Sequence, residues 1–142
     1  MRTAGDILER TARGIIHVAP TVTVFDALAC MSAENIGAVL VLDNGKLVGI
    51  FSERDYARKV VLKGRSSTST LVQEVMVSQL ITIQLTATLT DCMQLMTEHR
   101  IRHLPVFDGA TLLGVLSIGD VVSNVIDEQR HLIDQLEAYI RG

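Results

Sequence analysis

The sequence predicts an α/β protein in which one small unit is used twice. Shifting the chain of 142 residues by 65 places residues 16–61 on residues 81–126 without a gap, and 13 of the 46 aligned positions are identical. Ordinary composition would give about 3 identities by chance. In both copies, short apolar runs alternate with segments of helical spacing, and a turn signal separates two of the runs. The duplicated pattern therefore predicts two repeats of the same mixed fold.

Each copy is predicted to begin with a short strand, at 15–18 and at 80–83, which leads into a helix. Thr23 and Thr88 each precede an aspartate by three residues, which is the spacing of a helix capping box. Both helices carry apolar residues at helical spacing, and these positions are predicted to face the core: Val24, Leu28 and Met31 in one helix, and Leu89, Met93 and Met96 in the other.

A β-hairpin is predicted to follow each helix. Its turns are marked by Asp43-Asn44-Gly45 in the first copy and by Asp108-Gly109 in the second. A second helix then begins, over 53–62 in the first copy and from Gly119 into the tail in the second. The predicted hairpin strands are 37–43 with 46–51, and 102–108 with 111–116.

The polar segment 63–70 contains no apolar residue and is predicted to be a loop. Neither copy is large enough to bury its faces alone, so we expect the two to pack as one module. The predicted organisation is a repeat over 8–62, a linker over 63–72, a repeat over 73–126 and a C-terminal amphipathic helix over 127–142.

The tail from Val121 onward has an uninterrupted helical pattern. Ile126, Ile133, Leu136 and Ile140 are spaced by seven, three and four residues, so they form an apolar stripe along one face. Two interpretations stay open, which are packing of the stripe on its own domain and contact with a second copy in a dimer.

Composition excludes several classes of protein. The net charge of -3 argues against a protein that binds nucleic acid by neutralising phosphates. No apolar run approaches the roughly 18 residues that a membrane helix needs, and the N-terminus lacks the shape of a signal peptide. Cys30 and Cys92 form no C-x-x-C pair, so we predict two buried free thiols in a reducing compartment. A cytoplasmic protein without a membrane or nucleic-acid partner is expected.

The segment GIFSERD, residues 49–55, recurs as GVLSIGD, residues 114–120. Locally, serine three residues before aspartate is a helix cap. Chemically, it places a hydroxyl and a carboxylate beside free backbone N–H groups, which suits a phosphate and a sugar. The glycine at a fixed offset indicates a close approach of the backbone, and α/β folds bind ligands where strands end at helix starts. We expect the segments RGII (13–16) and VSQL (77–80) to meet these strand ends.

The duplicated unit resembles a CBS domain pair, or Bateman module, over about residues 4–126. The likeness is carried by the repeated G-h-h-S-x-x-D motif and by three segments typical of stand-alone CBS-pair proteins of bacteria and plant organelles: FSERDYARKVVLKGRSS (51–67), EVM (74–76) and HRIRHLPVFD (99–108). The resemblance implies an α/β (α+β) fold of two tandem β-α-β-β-α repeats related by a pseudo-twofold. It also implies clefts between the repeats that bind AMP, ADP, ATP, NAD or S-adenosylmethionine.

The same resemblance implies roles for particular residues. Asp55 and Asp120 would hold ribose hydroxyls, since a carboxylate accepts two hydrogen bonds from a cis-diol. Ser52 and Ser117 would lie near a phosphate. The adenine slot would be formed by residues of the first strand in each copy, which are Ile16, His17 and Val18, and Ile81, Thr82 and Ile83.

Basic residues are distributed unequally between the copies. Arg102 and His103 occupy positions that resemble phosphate-facing basic positions of the family, whereas the first copy has Gly37-Ala38 there. Arg54 and Lys59 either help to neutralise a polyphosphate or form a solvated helix face. A metal site at His99 and His103 is not predicted, because the helix is expected to end between them.

The predicted function is a non-catalytic regulatory module. It would bind an adenine nucleotide or NAD as a regulatory ligand, form a homodimer through its helices and act on a separate target protein in trans. The alternatives are a ligand-free dimerisation scaffold and an S-adenosylmethionine sensor. An enzyme is disfavoured, because the chain has no Walker A motif, no G-x-G-x-x-G and no nucleophile–base arrangement.

Overall fold

Two three-stranded sheets organise the chain, one in each of two structural units. The computed structural model describes residues 2–11 and 13–142. The first unit spans Gly14–Ile81, and the second combines Thr82–Gly142 with the N-terminal segment that ends at Arg13. The N-terminal segment therefore belongs to the unit of the second repeat, and residues that precede the second repeat belong to the unit of the first.

In the second unit the N-terminal helix α1 (Ala4–Thr11) begins with a capping box, in which the Asp6 amide donates to Thr3 Oγ1 at 3.3 Å. The Ala4 amide donates to the Ala87 carbonyl oxygen at 2.7 Å, which fixes α1 to the second repeat. The other elements of the unit are β4 (Ile83–Gln84), α4 (Leu89–His99), β5 (His103–Asp108), β6 (Thr111–Ser117) and α5 (Ile118–Arg141).

The first unit has the matching order of elements. A short 3₁₀ turn at Val72–Glu74 follows the loop and packs in the same unit. The elements are β1 (His17–Val18), α2 (Val24–Glu34), β2 (Ala38–Asp43), β3 (Lys46–Ser52), α3 (Glu53–Asp55) and a π-helical segment (Tyr56–Val61).

Both sheets have the same topology. β1 pairs with β2 in parallel, and β2 pairs with β3 in antiparallel, with β4, β5 and β6 arranged likewise. The hairpin register shifts between Val41 and Leu42 in one sheet and between Val106 and Phe107 in the other. These positions are equivalent under the 65-residue offset, so even the β-bulge is duplicated. The mixed α/β fold and the two repeats are confirmed.

The predicted turns are confirmed, while some predicted lengths are wrong. The opening strands are two residues long, because each pairs with only two residues of its neighbour. The helix predicted over 53–62 changes to i→i−5 hydrogen bonding after Asp55, as the bond from the Leu62 amide to the Ala57 carbonyl shows at 3.0 Å. The segment 63–70 is irregular, as predicted, and its Thr70 is buried and accepts from the Val24 amide at 2.8 Å.

The buried helix faces differ in part from the predicted ones. Leu28 is only half-buried and Met93 is 43% exposed, whereas Ala27 and Cys92 are fully buried. Both helices therefore present positions i, i+3 and i+7 to the sheet, which turns the i+4 side chain toward the rim. The core of the first unit is formed by Val24, Ala27, Met31, Val39, Val41, Phe51, Val60, Val72 and Val75.

The predicted tail helix is confirmed as the single 24-residue helix α5. Its apolar stripe is not covered by its own unit, because Ile126, Ile133, Leu136 and Ile140 are 46–81% exposed. Packing of the stripe on its own domain is therefore wrong. Cys92 is a buried free thiol as predicted, and Cys30 is a half-buried one. In the described part of the chain, no helix is both long and apolar enough to cross a membrane.

Candidate functional site

The first signature segment forms a complete capping box at the end of β3. The Ser52 amide donates to Asp55 Oδ2 at 2.9 Å, and the Asp55 amide donates to Ser52 Oγ at 3.2 Å. The Ser52 hydroxyl also donates to Asp55 Oδ2 at 2.9 Å. Asp55 is buried. This carboxylate is therefore held in place by its own helix start.

The second signature segment repeats this geometry at the start of α5. The Ser117 amide donates to Asp120 Oδ2 at 2.8 Å, and the Asp120 amide donates to Ser117 Oγ at 3.2 Å. Asp120 is half-buried rather than buried. Its side chain is thus the more accessible of the two signature carboxylates.

The backbone amides at these helix starts are largely used by the protein. The Glu53 amide donates to the Gly37 carbonyl oxygen at 3.1 Å, and the equivalent Ile118 amide donates to the Arg102 carbonyl oxygen at 2.8 Å. Together with the serine caps, two of the first three amides of each helix have internal partners. The expectation of a set of free N–H groups is therefore wrong, since the duplicated fold satisfies them itself.

The signature glycines are explained by packing inside each unit. A side chain at Gly49 would meet the Met76 side chain, with Cγ at 2.9 Å, and the Val77 carbonyl oxygen at 3.1 Å. A side chain at Gly114 would meet Leu8 Cδ1 at 3.0 Å. The predicted close approach to the glycine exists, but the approaching groups belong to the preceding segments of the chain. The glycine is therefore no evidence for a ligand.

Those preceding segments meet the strand ends, as predicted. Val77, in the segment VSQL, exchanges two backbone hydrogen bonds with Ile50 of β3, at 2.8 and 2.9 Å. Arg13, the first residue of RGII, forms an ion pair with Asp120 at 2.6 Å. Val77 and Ile50 lie in one structural unit, and Arg13 and Asp120 lie in the other.

The two signature carboxylates have different cationic partners. Lys59 Nζ lies 3.1 Å from Asp55 Oδ1 and also donates to the Val75 carbonyl oxygen at 3.0 Å. Lys59 is thus committed to the fold of the first unit. Arg13 approaches Asp120 from outside its helix and is itself partly exposed. The environment of Asp120 is therefore the more adaptable one.

A surface pocket of about 800 Å³ opens beside Asp120, between α1 and α5. Its volume falls within the roughly 300–1,000 Å³ of small-molecule sites. The pocket combines three arginines with two aspartates and an apolar wall, and its charged lining residues are Arg10, Arg13, Arg130, Asp120 and Asp127. A mixed lining with an excess of positive charge suits an anionic organic ligand.

The far side of this pocket is fixed by an arginine–aspartate network. Arg2 forms an ion pair with Asp127, and Arg10 lies 3.1 Å from the same carboxylate. Both guanidinium groups also bond Asn124 Oδ1, at 2.9 and 3.2 Å. Hydrogen bonds from Arg2 and Arg10 hold the pKa of the Asp127 carboxyl below its ordinary value. The network attaches α1 to α5.

A smaller pocket in the first unit lies between α2 and the start of α3, and none of its lining residues is basic. It has about 340 Å³ and is lined by Leu28, Met31, Ser32, Asn35, Ile36 and Glu53. Asp55 does not line it. The basic residues singled out from the sequence, Arg54, Arg102 and His103, line neither of these two pockets.

The residues predicted for the adenine slot have mixed exposures. Ile16 and Val18 pack against the core of the first unit, while His17 between them is exposed. Ile83 is buried, which leaves its side chain in the core of the second unit. Ile81 is half-buried and Thr82 is exposed, and the boundary between the two units falls between these two residues.

The predicted basic residues also differ in position. His103 lies in β5 opposite Ser117 of β6, so the fold brings these two predicted residues together. Arg102 and Arg54 are exposed. His99 ends α4 and His103 begins β5, so the two histidines do not share a helix face.

Sequence reasoning did not single out Arg10, Arg13, Asn124 or Asp127. Each is an ordinary surface residue type with no motif around it, and each acquires its partner across more than 100 residues of sequence. The one available signal was the expectation that the segment RGII meets a strand end, which applies to Arg13.

A tandem pair of small β-α-β-β-α units with a serine–aspartate cap after each third strand defines a class of duplicated α/β modules. The family model for the CBS domain matches residues 4–62 and 72–127. The chain belongs to the CBS domain family. Members of this family are generally regulatory, non-catalytic modules that often bind adenosine ligands.

Individual relatives support the same assignment. The chain is 45% identical over 125 residues to the mitochondrial CBS domain-containing protein CBSX3 of Arabidopsis thaliana, which covers 84% of this chain and 61% of that protein. It is 35% identical over 115 residues to YhcV of Bacillus subtilis, with 81% of each chain covered. A solved structure of a putative signal-transduction protein with CBS domains from Burkholderia ambifaria matches with a TM-score of 0.85 at 46% identity, over 89% of this chain and 96% of that one.

Proposed function

We propose that this chain is a non-catalytic regulatory module that binds an adenosine-containing ligand at the second signature, with the ribose on Asp120. The observation that carries the proposal is the pocket beside Asp120, which brings the signature carboxylate together with Arg10, Arg13 and Arg130. AMP, ADP, ATP and NAD share the ribose and the anionic group that such a lining recognises.

Ligand binding at this site rearranges an existing ion pair. Asp120 accepts from Arg13 at 2.6 Å, so ribose hydroxyls and Arg13 compete for the same carboxylate oxygen. When the ribose occupies Asp120, the Arg13 guanidinium is released toward the phosphates, where it forms a charge-assisted hydrogen bond. Binding is therefore coupled to the position of the N-terminal segment that carries Arg13. Such a coupling is the physical basis of a regulatory output.

The first signature binds more weakly in this proposal. Asp55 is buried, its Oδ2 accepts from Ser52, and its Oδ1 is paired with Lys59. A ribose there would have to displace an internal lysine that also bonds the Val75 carbonyl oxygen. We therefore expect one ligand per chain at low concentration, with Ser52, Asp55, Arg54 and the Ile16–Val18 strand serving a weaker second site.

Calorimetric titration of the full chain with AMP, ADP, ATP, NAD and S-adenosylmethionine tests the proposal. Asp120→Ala should weaken binding of the preferred ligand about tenfold or more, since a hydrogen bond to a charged group contributes about 1.5–3 kcal/mol. Asp91→Ala is the matched control, because Asp91 forms the same capping box with Thr88 at the start of α4, away from the pocket.

Three outcomes distinguish the alternatives. A selective loss in Asp120→Ala supports the ribose assignment. Equal affinities for Asp120→Ala, Asp55→Ala and the unaltered chain would remove both signature aspartates from the site. An absence of heat with every ligand would favour the ligand-free dimerisation scaffold, and a response to S-adenosylmethionine alone would favour the sensor of that ligand.

The wider function follows from the same proposal. In this proposal the module works as a homodimer and acts on a separate target protein in the cytoplasm, and it is supported by the pocket beside Asp120 and by the exposed apolar side chains of α5. Proximity labelling around the tagged chain, with and without Asp120→Ala, would identify a target whose association depends on the ligand. A labelling pattern unchanged by the substitution would contradict a ligand-dependent output.

A further inference from the structure

The last part of α5 is an apolar helix surface that its own unit leaves uncovered. We call it the tail surface and define it by Leu132, Ile133, Leu136, Tyr139 and Ile140, whose exposures are 52–85%. The family match ends at residue 127, so this surface lies outside the repeated core. The first repeat has no counterpart, since its equivalent helical segment ends at Val61. Five large apolar side chains on one exposed face mark an interaction site.

The spacing of the tail surface is that of a coiled-coil seam. Ile133 and Ile140 are seven residues apart and occupy successive a sites of a heptad. Leu136 follows Ile133 by three residues and occupies the d site. Leu132 and Tyr139 then occupy the g sites on one side of the seam. On the other side, the two e sites are occupied by residues of opposite charge, Arg130 and Glu137.

We propose that the tail surface pairs with the tail surface of a second copy, with the two helices antiparallel. When the midpoint of the pair falls between Asp134 and Gln135, Ile133 lies against the partner's Leu136, and the reverse contact forms by symmetry. The same arrangement places Arg130 beside the partner's Glu137 twice, since e sites face e sites across an antiparallel pair. It also places Leu132 against the partner's Tyr139.

The charges select this register and this direction. A shift of the midpoint by half a heptad toward the N-terminus places Arg130 against the partner's Arg130, and the opposite shift places Glu137 against the partner's Glu137. Both shifted registers oppose like charges. In a parallel pair, each e site faces the partner's g site five residues earlier in sequence, so Arg130 would face an apolar Val125 and Glu137 would face an apolar Leu132. Only the antiparallel register with its midpoint between Asp134 and Gln135 pairs each Arg130 with a Glu137 of the other copy.

Sedimentation equilibrium of the full chain and of charge-reversal variants tests the pairing. Arg130→Glu and Glu137→Arg should each weaken self-association about tenfold, because each replaces two attractive pairs by two repulsive ones. The double variant Arg130→Glu with Glu137→Arg should recover the affinity of the unaltered chain, because the complementary pairs are restored in reversed order. Leu136→Glu should weaken association more than a hundredfold.

Asp134→Lys is the matched control, since Asp134 lies on the same exposed helix but on the side away from the seam. Circular dichroism of each variant reports whether α5 is retained. Recovery in the double variant is specific to the antiparallel arrangement, because a parallel pair would not couple the two positions. Dissociation constants that stay within twofold of the unaltered chain in all seam variants would overturn the proposal. Nucleotide titration of Leu136→Glu separates this interface from the ligand site, since Asp120 and its pocket are unaltered in that variant.

Discussion

Gly49 lies where the chain has no room for a side chain, so replacing it with alanine should destabilise the first unit. The added methyl group would lie 2.9 Å from Met76 Cγ and 3.1 Å from the Val77 carbonyl oxygen. Met76 can rotate away, but Val77 cannot retreat easily, since it exchanges two backbone hydrogen bonds with Ile50. Overpacking of this kind costs about 1–3 kcal/mol. For a chain of this size, that corresponds to a fall of about 2–4 °C in melting temperature per kcal/mol.

Urea and thermal unfolding followed by circular dichroism measure this effect, and two other glycine-to-alanine variants calibrate it. Gly114→Ala meets only the movable Leu8 methyl group at 3.0 Å, so its loss should be smaller. Gly119→Ala adds a methyl group in the exposed first turn of α5 and should be neutral or stabilising by up to about 1 kcal/mol. Met76→Ala combined with Gly49→Ala should recover part of the loss. A Gly49→Ala variant as stable as the unaltered chain would refute the packing explanation of the signature glycine.

Two further predictions concern titrating groups. Burial raises the pKa of the Cys92 thiol to about 11. Iodoacetamide at pH 8 should therefore modify Cys30 before Cys92, which peptide mass spectrometry measures. Equal modification rates of the two thiols in the native protein would contradict the burial of Cys92. Hydrogen bonds from Arg2 and Arg10 hold the pKa of the Asp127 carboxyl below its ordinary value of 3.8. The attachment of α1 to α5 is therefore fully present above pH 3.8, and it is lost as the pH falls through the lower pKa of the folded state. The protection factors of α1 amides, which compare the exchange rates with the intrinsic rates at the same pH, should fall on acidification across this range. Asp127→Asn should remove that fall, and a protection profile unchanged by Asp127→Asn would exclude this carboxylate.

The repeated architecture could be predicted because its signals are local. Alternating apolar residues, the Asn44-Gly45 turn and the Thr88 cap each act within a few residues, and the 65-residue offset doubles every signal. The buried helix face was less predictable. The opening strands β1 and β4 are two residues long and leave α2 and α4 each packed on a narrow sheet, where Ala27 and Cys92 rather than Leu28 and Met93 face the core. The rotation of a helix about its axis depends on tertiary packing, and the spacing of apolar residues in the sequence does not determine it.

The candidate site was predictable in its chemistry and not in its surroundings. Among the described residues, every α-helix of four residues or more begins with a serine or threonine three residues before an aspartate, at Thr3, Thr23, Thr88 and Ser117. The spacing therefore could not separate a ligand site from a cap. The distinguishing features are the pocket and the Arg13–Asp120 ion pair, which joins residues 107 positions apart. Contacts of that range are products of the fold and are invisible to a local motif.

The exchange of leading segments between the units has a consequence for the order of folding. The helix α1 is synthesised before the rest of its unit, and the strand β6 against which it packs follows about a hundred residues later. The second unit thus has a high contact order, which slows folding and leaves α1 without its partner for most of translation. A circular permutant that opens the chain between Arg13 and Gly14, and joins residue 142 to residue 2 by a flexible loop, would make each unit contiguous. The same contacts would then form from a chain whose topology no longer delays them.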